Sequence, residues 1–276
     1  MRIIVPIATR GRPMRLAGAL HSLTTLASGR HQIDYVVRVD EDDERTRAII
    51  TDLEGAYGIE AMVRPRPITL GQAWNECVFG REWDACSVIA DKHLCQAKNW
   101  DDCIDEVVGQ RDIPASSWHL LPKPEETLLI ISRKFYQAMG EQIFPEWFPF
   151  WFAERWVYEI HQLALGTGIP KVANLAMSEP LGVTQGLRDL EFWFDFFART
   201  RRVRLHCAHK MAIALGKAII NPLPIIAEMV KGDAWQKPRI PMYYQTRGVP
   251  PGEPTPQYIS AKQRAERFLN ETARAA

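Results

Sequence analysis

The chain carries almost no net charge, with 34 Lys and Arg set against 33 Asp and Glu in 276 residues. A protein built to coat nucleic acid or an acidic membrane needs a basic excess, so no nucleic-acid partner is expected. That argument is global and leaves local basic patches open. Cysteine is sparse and unpaired: Cys77, Cys86, Cys95, Cys103 and Cys207 form no CxxC motif and are odd in number. This excludes a disulfide framework and a zinc ribbon, and predicts small buried side chains in a reducing compartment. Long apolar runs are missing too. The opening Ile3-Ile4-Val5-Pro6 turns polar at Thr9-Arg10, too soon for a secretory signal, and no later segment is long enough to span a bilayer. A cytoplasmic protein is expected. There is no glycine-rich phosphate loop, no Gly-x-Ser-x-Gly elbow, no internal repeat and no low-complexity linker.

What the sequence contains is ordinary globular material, 46% hydrophobic and 24% charged. Residues 3–8 read as a short buried strand, broken by Gly11 and Pro13. Leu16, Leu20, Leu23 and Leu26 then mark an amphipathic helix by their three- and four-residue steps. A second strand over 34–39 ends on Asp40-Glu41-Asp42-Asp43-Glu44, and a polar helix follows to about 54. A third strand at 60–64, a helix over 70–81 and a fourth strand at 85–90 complete the first half. Strands spaced by helices of this length indicate α/β architecture with a parallel, helix-flanked sheet. Ligands gather at the carboxyl ends of such strands. Three of those ends here are polar: Thr9-Arg10, Asp40-Glu41-Asp42 and Asp91-Lys92-His93.

The second half is less regular. Strands are expected at 118–121, 127–131 and 172–177, with a helix start at 134–139 and another helix ending near 165. The aromatic stripe Phe148, Phe150, Trp151, Phe152 and Trp156 reads mostly as core. Beyond Gly186 a helix is expected over 187–217, then a proline-rich segment wrapping the surface over 221–256, then a final helix from Ser260. The expected division is 1–185 as a nucleotide-sugar-binding and catalytic domain and 186–276 as a helical, proline-rich extension.

Several of these segments resemble family 2 glycosyltransferases of the GT-A fold. The run from Ile3 to Pro13 with its leucine-spaced helix is similar to the family's opening. Gly71-Gln72-Ala73-Trp74-Asn75-Glu76 resembles its glycine, alanine and asparagine pattern. Asp91-Lys92-His93 falls where its Asp-x-Asp motif belongs, followed by Asn99-Trp100-Asp101-Asp102 where a tryptophan-acid pair often follows. Phe152 to Trp156 resembles its general-base segment. The match covers roughly residues 1–180.

The resemblance implies a nucleotide diphosphate sugar as donor, an unknown acceptor, and transfer with inversion. Pro6, Thr9, Arg10, Asp40, Asp42, Asn75 and Lys92 are implied as donor-binding residues, Asp91 and His93 as ligands of Mn²⁺ or Mg²⁺, and Glu154 as general base. A departing diphosphate builds negative charge and needs a cation, while the acceptor hydroxyl must lose a proton to a carboxylate. The motif departs from the family pattern, because Asp91 is its only acid. An Asp and a His can ligate manganese, Lys92 could stand in as a fixed charge, or the site could be decayed. The competing function is therefore a catalytically inactive GT-A-like binding or assembly protein. A sugar nucleotidyltransferase is disfavoured, since those enzymes usually carry a glycine-rich, lysine-bearing loop after the first strand.

Each residue also has a plain structural reading: Asp40 to Glu44 as a helix N-terminus, Arg10 and Arg12 as surface charges, Glu154 as an exposed acid paired with Arg155 or Arg188. Residues 192–204 combine Trp193, Phe194, Phe196 and Phe197 with Arg199, Arg201, Arg202 and Arg204. Peripheral membrane contact through that stretch, or the docking of a domain or subunit, are the two readings of it.

Overall fold

The computed structural model describes residues 1–121, 127–149, 152–178, 188–247 and 252–274. It divides into two compact units: Met1–Pro67 with Gln72–Ile143 and Ile169–Leu181, and Ile68–Gly71 with Phe144–Gly168 and Gly182–Ala276. The segment 144–168 thus clusters with the C-terminal residues, a partition different from a cut at 185/186. Aromatic packing explains this.

The first unit is built on a nine-stranded sheet. β1 (Arg2–Thr9), β2 (Gln32–Asp40) and β3 (Glu60–Arg64) run parallel, linked by α1 (Pro13–Leu26) and α2 (Glu44–Tyr57). Next along the chain come α3 (Leu70–Val78), β4 (Ala85–Ser87), β5 (Ile89–Ala90), β6 (Leu94–Cys95) and α4 (Trp100–Ile104). β7 (Ala115–Leu121), β8 (Thr127–Ser132), α5 (Arg133–Ala138) and β9 (Lys171–Ser178) complete the unit. The strand order is β3-β2-β1-β4-β8-β7-β9-β6, with β5 also pairing with β1.

The second half of the sheet is mixed, with β7 parallel to β9. β8 runs antiparallel to β4 and β7, and β6 antiparallel to β9. The expected strand over 85–90 is two pieces separated by Val88. β4 pairs with Ile3 and Ile4, β5 pairs with Ile7 and Ala8, and Pro6 lies between these sets. Proline has no N–H to give a ladder, so pairing lapses beside it. The Val88 N–H instead donates to the Leu129 carbonyl at 2.9 Å. Ile3, Val5, Ile7, Val37, Val39, Leu16, Leu20, Leu23, Trp100 and Trp118 lie in the core of this unit. Cys77, Cys86 and Cys95 are buried free thiols, as expected, whereas Cys103 and Cys207 are only half-buried.

The second unit holds α6 (Ala153–Leu165), α7 (Leu190–Arg199), α8 (Arg201–Ala214), α9 (Leu223–Gln236), α10 (Ile240–Arg247) and α11 (Pro256–Arg274). Two expectations change here. The helix over 187–217 is interrupted at Thr200, whose hydroxyl donates back to the Phe196 carbonyl at 2.8 Å and lies 3.1 Å from the Phe197 carbonyl. Such back-bonding satisfies the last carbonyls of α7 and lets the chain turn. The proline-rich stretch is largely helical: Pro222 and Pro224 sit at the start of α9, where a missing N–H costs nothing.

The aromatic stripe is core. Phe148 lies 5.7 Å from Phe152, 5.9 Å from Trp156, 6.0 Å from Trp193 and 5.6 Å from Phe196 between ring centroids. Phe150 and Trp151 lie outside the described residues. Because Trp193, Phe194, Phe196 and Phe197 are all buried, the aromatic side of 192–204 is not a membrane-facing surface. Arg155, Arg201 and Arg204 are drawn into the same unit by two carboxylates. Arg201 Nε donates to Glu159 Oε1 at 2.7 Å and Arg201 Nη2 to Asp233 Oδ2 at 2.5 Å. Arg155 Nη2 donates to Asp233 Oδ1 at 2.6 Å, and Arg204 Nε lies 3.0 Å from Glu159 Oε1.

Candidate functional site

β1, β2 and β5 run parallel, so their carboxyl ends meet at one edge of the first unit. That edge is where the polar strand ends were expected to converge, and Thr9, Arg10, Asp40 and Asp91 all lie there. The centre is Asp91, which follows β5 and is fully buried. Its Oδ2 accepts from Thr9 Oγ1 at 2.8 Å and lies 3.1 Å from Arg12 Nε. Its Oδ1 has no hydrogen-bond partner among the described residues. An orphaned buried acceptor costs about 1–3 kcal/mol, so its persistence here calls for a reason. Burial raises the Asp91 pKa, and Arg12 and the Thr9 hydroxyl partly oppose that rise.

His93 is brought back beside Asp91 by a tight turn in which its N–H donates to the Ala90 carbonyl at 3.0 Å. Its Nδ1 accepts the Ala90 N–H at 3.2 Å. A ring nitrogen that accepts a backbone N–H places the proton of the neutral imidazole on Nε2. In that tautomer Nε2 is an N–H donor, so ligation of a cation would require the proton to move to Nδ1 and the Ala90 contact to be given up. Lys92, between the two, is half-buried.

The acidic run after β2 divides by role. Asp43 is a helix cap: its Oδ1 accepts from the Thr46 N–H at 3.2 Å and its Oδ2 from the Gly11 N–H at 2.7 Å. Burial alone would raise its pKa, but these donors bring it below the usual value. Gly11 sits at φ +66°, a left-handed turn that any side chain would strain, and it aims this N–H at the cap. Asp40 is buried between two arginines, paired with Arg38 on Oδ1 and with Arg10 Nη1 on Oδ2 at 2.7 Å. Asp42 is exposed and grips Arg10 with both oxygens, Nη2 to Oδ2 at 2.8 Å. That hydrogen bond lowers the Asp42 pKa and raises that of Arg10. Arg10 is thus a fork held across the mouth of the site by two carboxylates.

Asn75, buried on α3, accepts the Ile143 N–H on its side-chain oxygen at 2.9 Å and so pins the chain after α5. Pro6 is buried within β1 and is an element of the sheet. Glu154 is half-buried in the first turn of α6, in the second unit, where the helix dipole favours an acid. Arg155 is engaged by Asp233 and by Gln236, the latter at 2.6 Å.

Sequence reasoning missed Arg38, 1% exposed, which pairs with Asp40, with Glu76 at 3.2 Å and with the Pro65 carbonyl. The signal was present: a lone charge inside the apolar run Val36-Val37-Arg38-Val39 must be either on an open face or paired. It also missed a cluster of His31, Asp101 and Asp102. That cluster lies at the amino ends of β1 and β2, away from the Asp91 edge. Its carboxylates are already engaged, Asp101 by the Ser28 N–H at 2.7 Å and hydroxyl at 2.6 Å, Asp102 by Arg30 and by His31 at 3.1 Å.

No protein-family profile matches the sequence, and no curated protein matches it. The fold has clear counterparts. TarS of S. aureus, residues 1–349 in complex with UDP-GlcNAc, aligns with a TM-score of 0.60 at 11% identity, over 77% of this chain and 70% of that one. The same protein in complex with UDP gives 0.58 at 12% identity over the same shares. A mannosyltransferase from Pyrobaculum calidifontis, in complex with GDP-Man and Mn²⁺, gives 0.58 at 11% identity, over 99% of this chain and 82% of that one. The chain has the fold of GT-A glycosyltransferases, as the order of its weak motifs implied.

Proposed function

We propose that this protein transfers a sugar from a nucleotide diphosphate sugar to an acceptor, with the donor bound at the carboxyl edge of β1, β2 and β5. The observation that carries this reading is Asp91, a fully buried carboxylate with one oxygen held by Thr9 and Arg12 and the other without a partner among the described residues. A site that sustains that cost without using it for stability is one kept for a ligand. The structural neighbours bound to UDP, UDP-GlcNAc and GDP-Man with Mn²⁺ support the donor class.

Asp91 Oδ1 would hold a divalent cation, and His93 would join as second ligand through Nε2 only in the tautomer with its proton on Nδ1, once the Ala90 contact is given up. Such an ion, Mn²⁺ or Mg²⁺, would neutralise charge on the departing diphosphate. The chain's own residues divide the remaining work. Thr9 and Arg12 hold the Asp91 carboxylate in orientation and favour its ionised form. Arg10 can exchange Asp42 for a phosphate oxygen at little cost, because that pair is solvent-exposed. Asp40, fixed by buried Arg38, is placed to accept from donor hydroxyls, and Lys92 adds positive charge beside the diphosphate. Asn75 and Pro6 shape the pocket through the backbone they position. Glu154 is assigned as the base that takes the acceptor proton. One base without a second carboxylate nucleophile implies direct displacement and inversion.

The test is the thermal unfolding midpoint with UDP- and GDP-sugars, in Mn²⁺, in Mg²⁺ and in chelator. A ligand that binds only the native state raises that midpoint. A metal-dependent rise in wild type that Asp91→Ala abolishes, in a folded variant, supports the reading. An equal rise in the variant removes Asp91 from the site. The competing reading, an inactive binding protein, draws on Asp91 being the only acid of its motif; it predicts the same midpoint shift with no sugar transfer or donor hydrolysis.

A further inference from the structure

We infer that the corner joining α8 to α9 is a docking surface for an anionic lipid bilayer. From residue 213 to 223 every position except Leu215, Ile220 and Pro222 is exposed. Three of the exposed side chains are large and apolar: Ile213, Ile219 and Leu223, exposed by 66%, 55% and 69%. A monomeric soluble protein rarely concentrates such residues in one short stretch without a use for them.

The corner is rigid. α8 is closed by Gly216 at φ +65°, with the Gly216 N–H on the Ile213 carbonyl at 2.9 Å and the Lys217 N–H on the Ala212 carbonyl at 2.8 Å. This double capping is the Schellman arrangement. The Asn221 side-chain oxygen accepts the Leu223 N–H at 3.1 Å and fixes the entry to α9. Leu215 is buried, and the Ile220 side chain packs against Gly166 at the end of α6. The fold therefore has inward places for apolar side chains here, yet it holds Ile219 and Leu223 outward.

The charge around the corner selects the occupant. Between Phe196 and Ala227 there is no Asp or Glu, while Arg199, Arg201, Arg202, Arg204, Lys210 and Lys217 all fall in that stretch. Arg201 and Arg204 are spent on Glu159 and Asp233. Arg199, Arg202, Lys210 and Lys217 are exposed. Arg202, His206, Lys210 and Ile213 follow one another at helical spacing, so the outer face of α8 is a basic stripe leading into the apolar corner. Apolar side chains to enter the acyl boundary, ringed by lysine and arginine to meet anionic headgroups, are the two components of interfacial membrane binding. A nucleic acid would use the charge and leave Ile219 and Leu223 in water. A second copy of the chain would bring like charge against like. This inference is independent of the donor site.

The experiment is co-sedimentation of the full chain with vesicles of phosphatidylcholine alone and of phosphatidylcholine with phosphatidylglycerol. Binding should favour the anionic vesicles by about tenfold or more and weaken as salt is raised. Ile219→Asp and Leu223→Asp change exposed positions; with unfolding midpoints like wild type, each should lower vesicle binding about tenfold. The double variant Lys210→Glu/Lys217→Glu should remove the preference for anionic lipid. Three results would overturn the inference: no vesicle binding by wild type; binding unaffected by the Asp variants; or duplex nucleic acid bound at salt where vesicles are not. Dimerisation that Leu223→Asp abolishes, without vesicle binding, would equally assign the corner to a second copy.

Discussion

The buried ion network of the second unit makes an asymmetric prediction that tests how its charges are balanced. Three guanidinium groups, of Arg155, Arg201 and Arg204, meet two carboxylates, of Glu159 and Asp233. Arg204 is fully buried, yet its only acid among the described residues is Glu159, which Arg201 also claims. Burial pushes the Arg204 pKa down to about 10, so the group is still charged at neutral pH. Replacing Glu159 by Gln leaves that charge facing a neutral amide, and removing one partner of a buried pair costs about 3–5 kcal/mol. Replacing Arg204 by Met instead leaves Arg155 and Arg201 against Glu159 and Asp233, a balanced set. It gives up the Thr200 hydroxyl at 3.0 Å and the stacking on Phe197 at 3.8 Å. Those are worth about 1–2 kcal/mol and are offset by a desolvation cost no longer incurred. Arg204→Met should therefore lie within about 1.5 kcal/mol of wild type. Combining it with Glu159→Gln should recover about 2 kcal/mol or more of the loss, a coupling expected only of groups in contact. Urea unfolding followed by tryptophan fluorescence measures all four proteins. If Arg204→Met costs as much as Glu159→Gln, charge balance is not what holds this network. The aromatic faces of Phe197 and Trp156 would then be the main support of the guanidinium.

Two further outcomes are expected. Glu154→Gln should keep the donor-induced midpoint shift and lose at least about a hundredfold in transfer rate, the usual contribution of a general base; loss of donor binding as well would take Glu154 out of that role. His161, buried with its Nδ1 2.9 Å from the Thr167 carbonyl, has its pKa lowered by desolvation. The unfolded chain then binds the proton more readily, so the stability His161 supports is complete above about 6.5 and is lost as pH falls below it. His161→Gln should flatten that part of the pH profile, and an unchanged slope would mean that other groups set it.

The first half of the fold was legible because its signals are local. Leucines at helical steps, β-branched strand runs and the Gly11-Pro13 break each fix an element within a few residues. The polar strand ends then point to one edge once the strands are known to be parallel. Asp91 was readable as a residue of that edge for that reason, and Asn75 as a residue of note, though not that it binds the Ile143 backbone. Arg38 was passed over because its partners, Asp40, Glu76 and the Pro65 carbonyl, come together only in the folded sheet.

The sequence alone determined the α/β class, the order of elements through β5, the burial of Cys77, Cys86 and Cys95 and the edge where polar residues collect. All of these follow from patterns shorter than about ten residues, where periodicity and turn chemistry act directly. The tertiary structure decided what depends on distant partners. It set the antiparallel pairing of β6 with β9 and of β8 with β4 and β7, the break beside Pro6 and the turn at Thr200. It likewise decided the burial of the aromatics at 193–197 and the division of Asp40, Asp42 and Asp43 into ion-pair partner, exposed clamp and helix cap. Whether an acid is a ligand, a cap or half of an ion pair depends on what lies within 3 Å of it, and neighbours that far apart in sequence are chosen by packing.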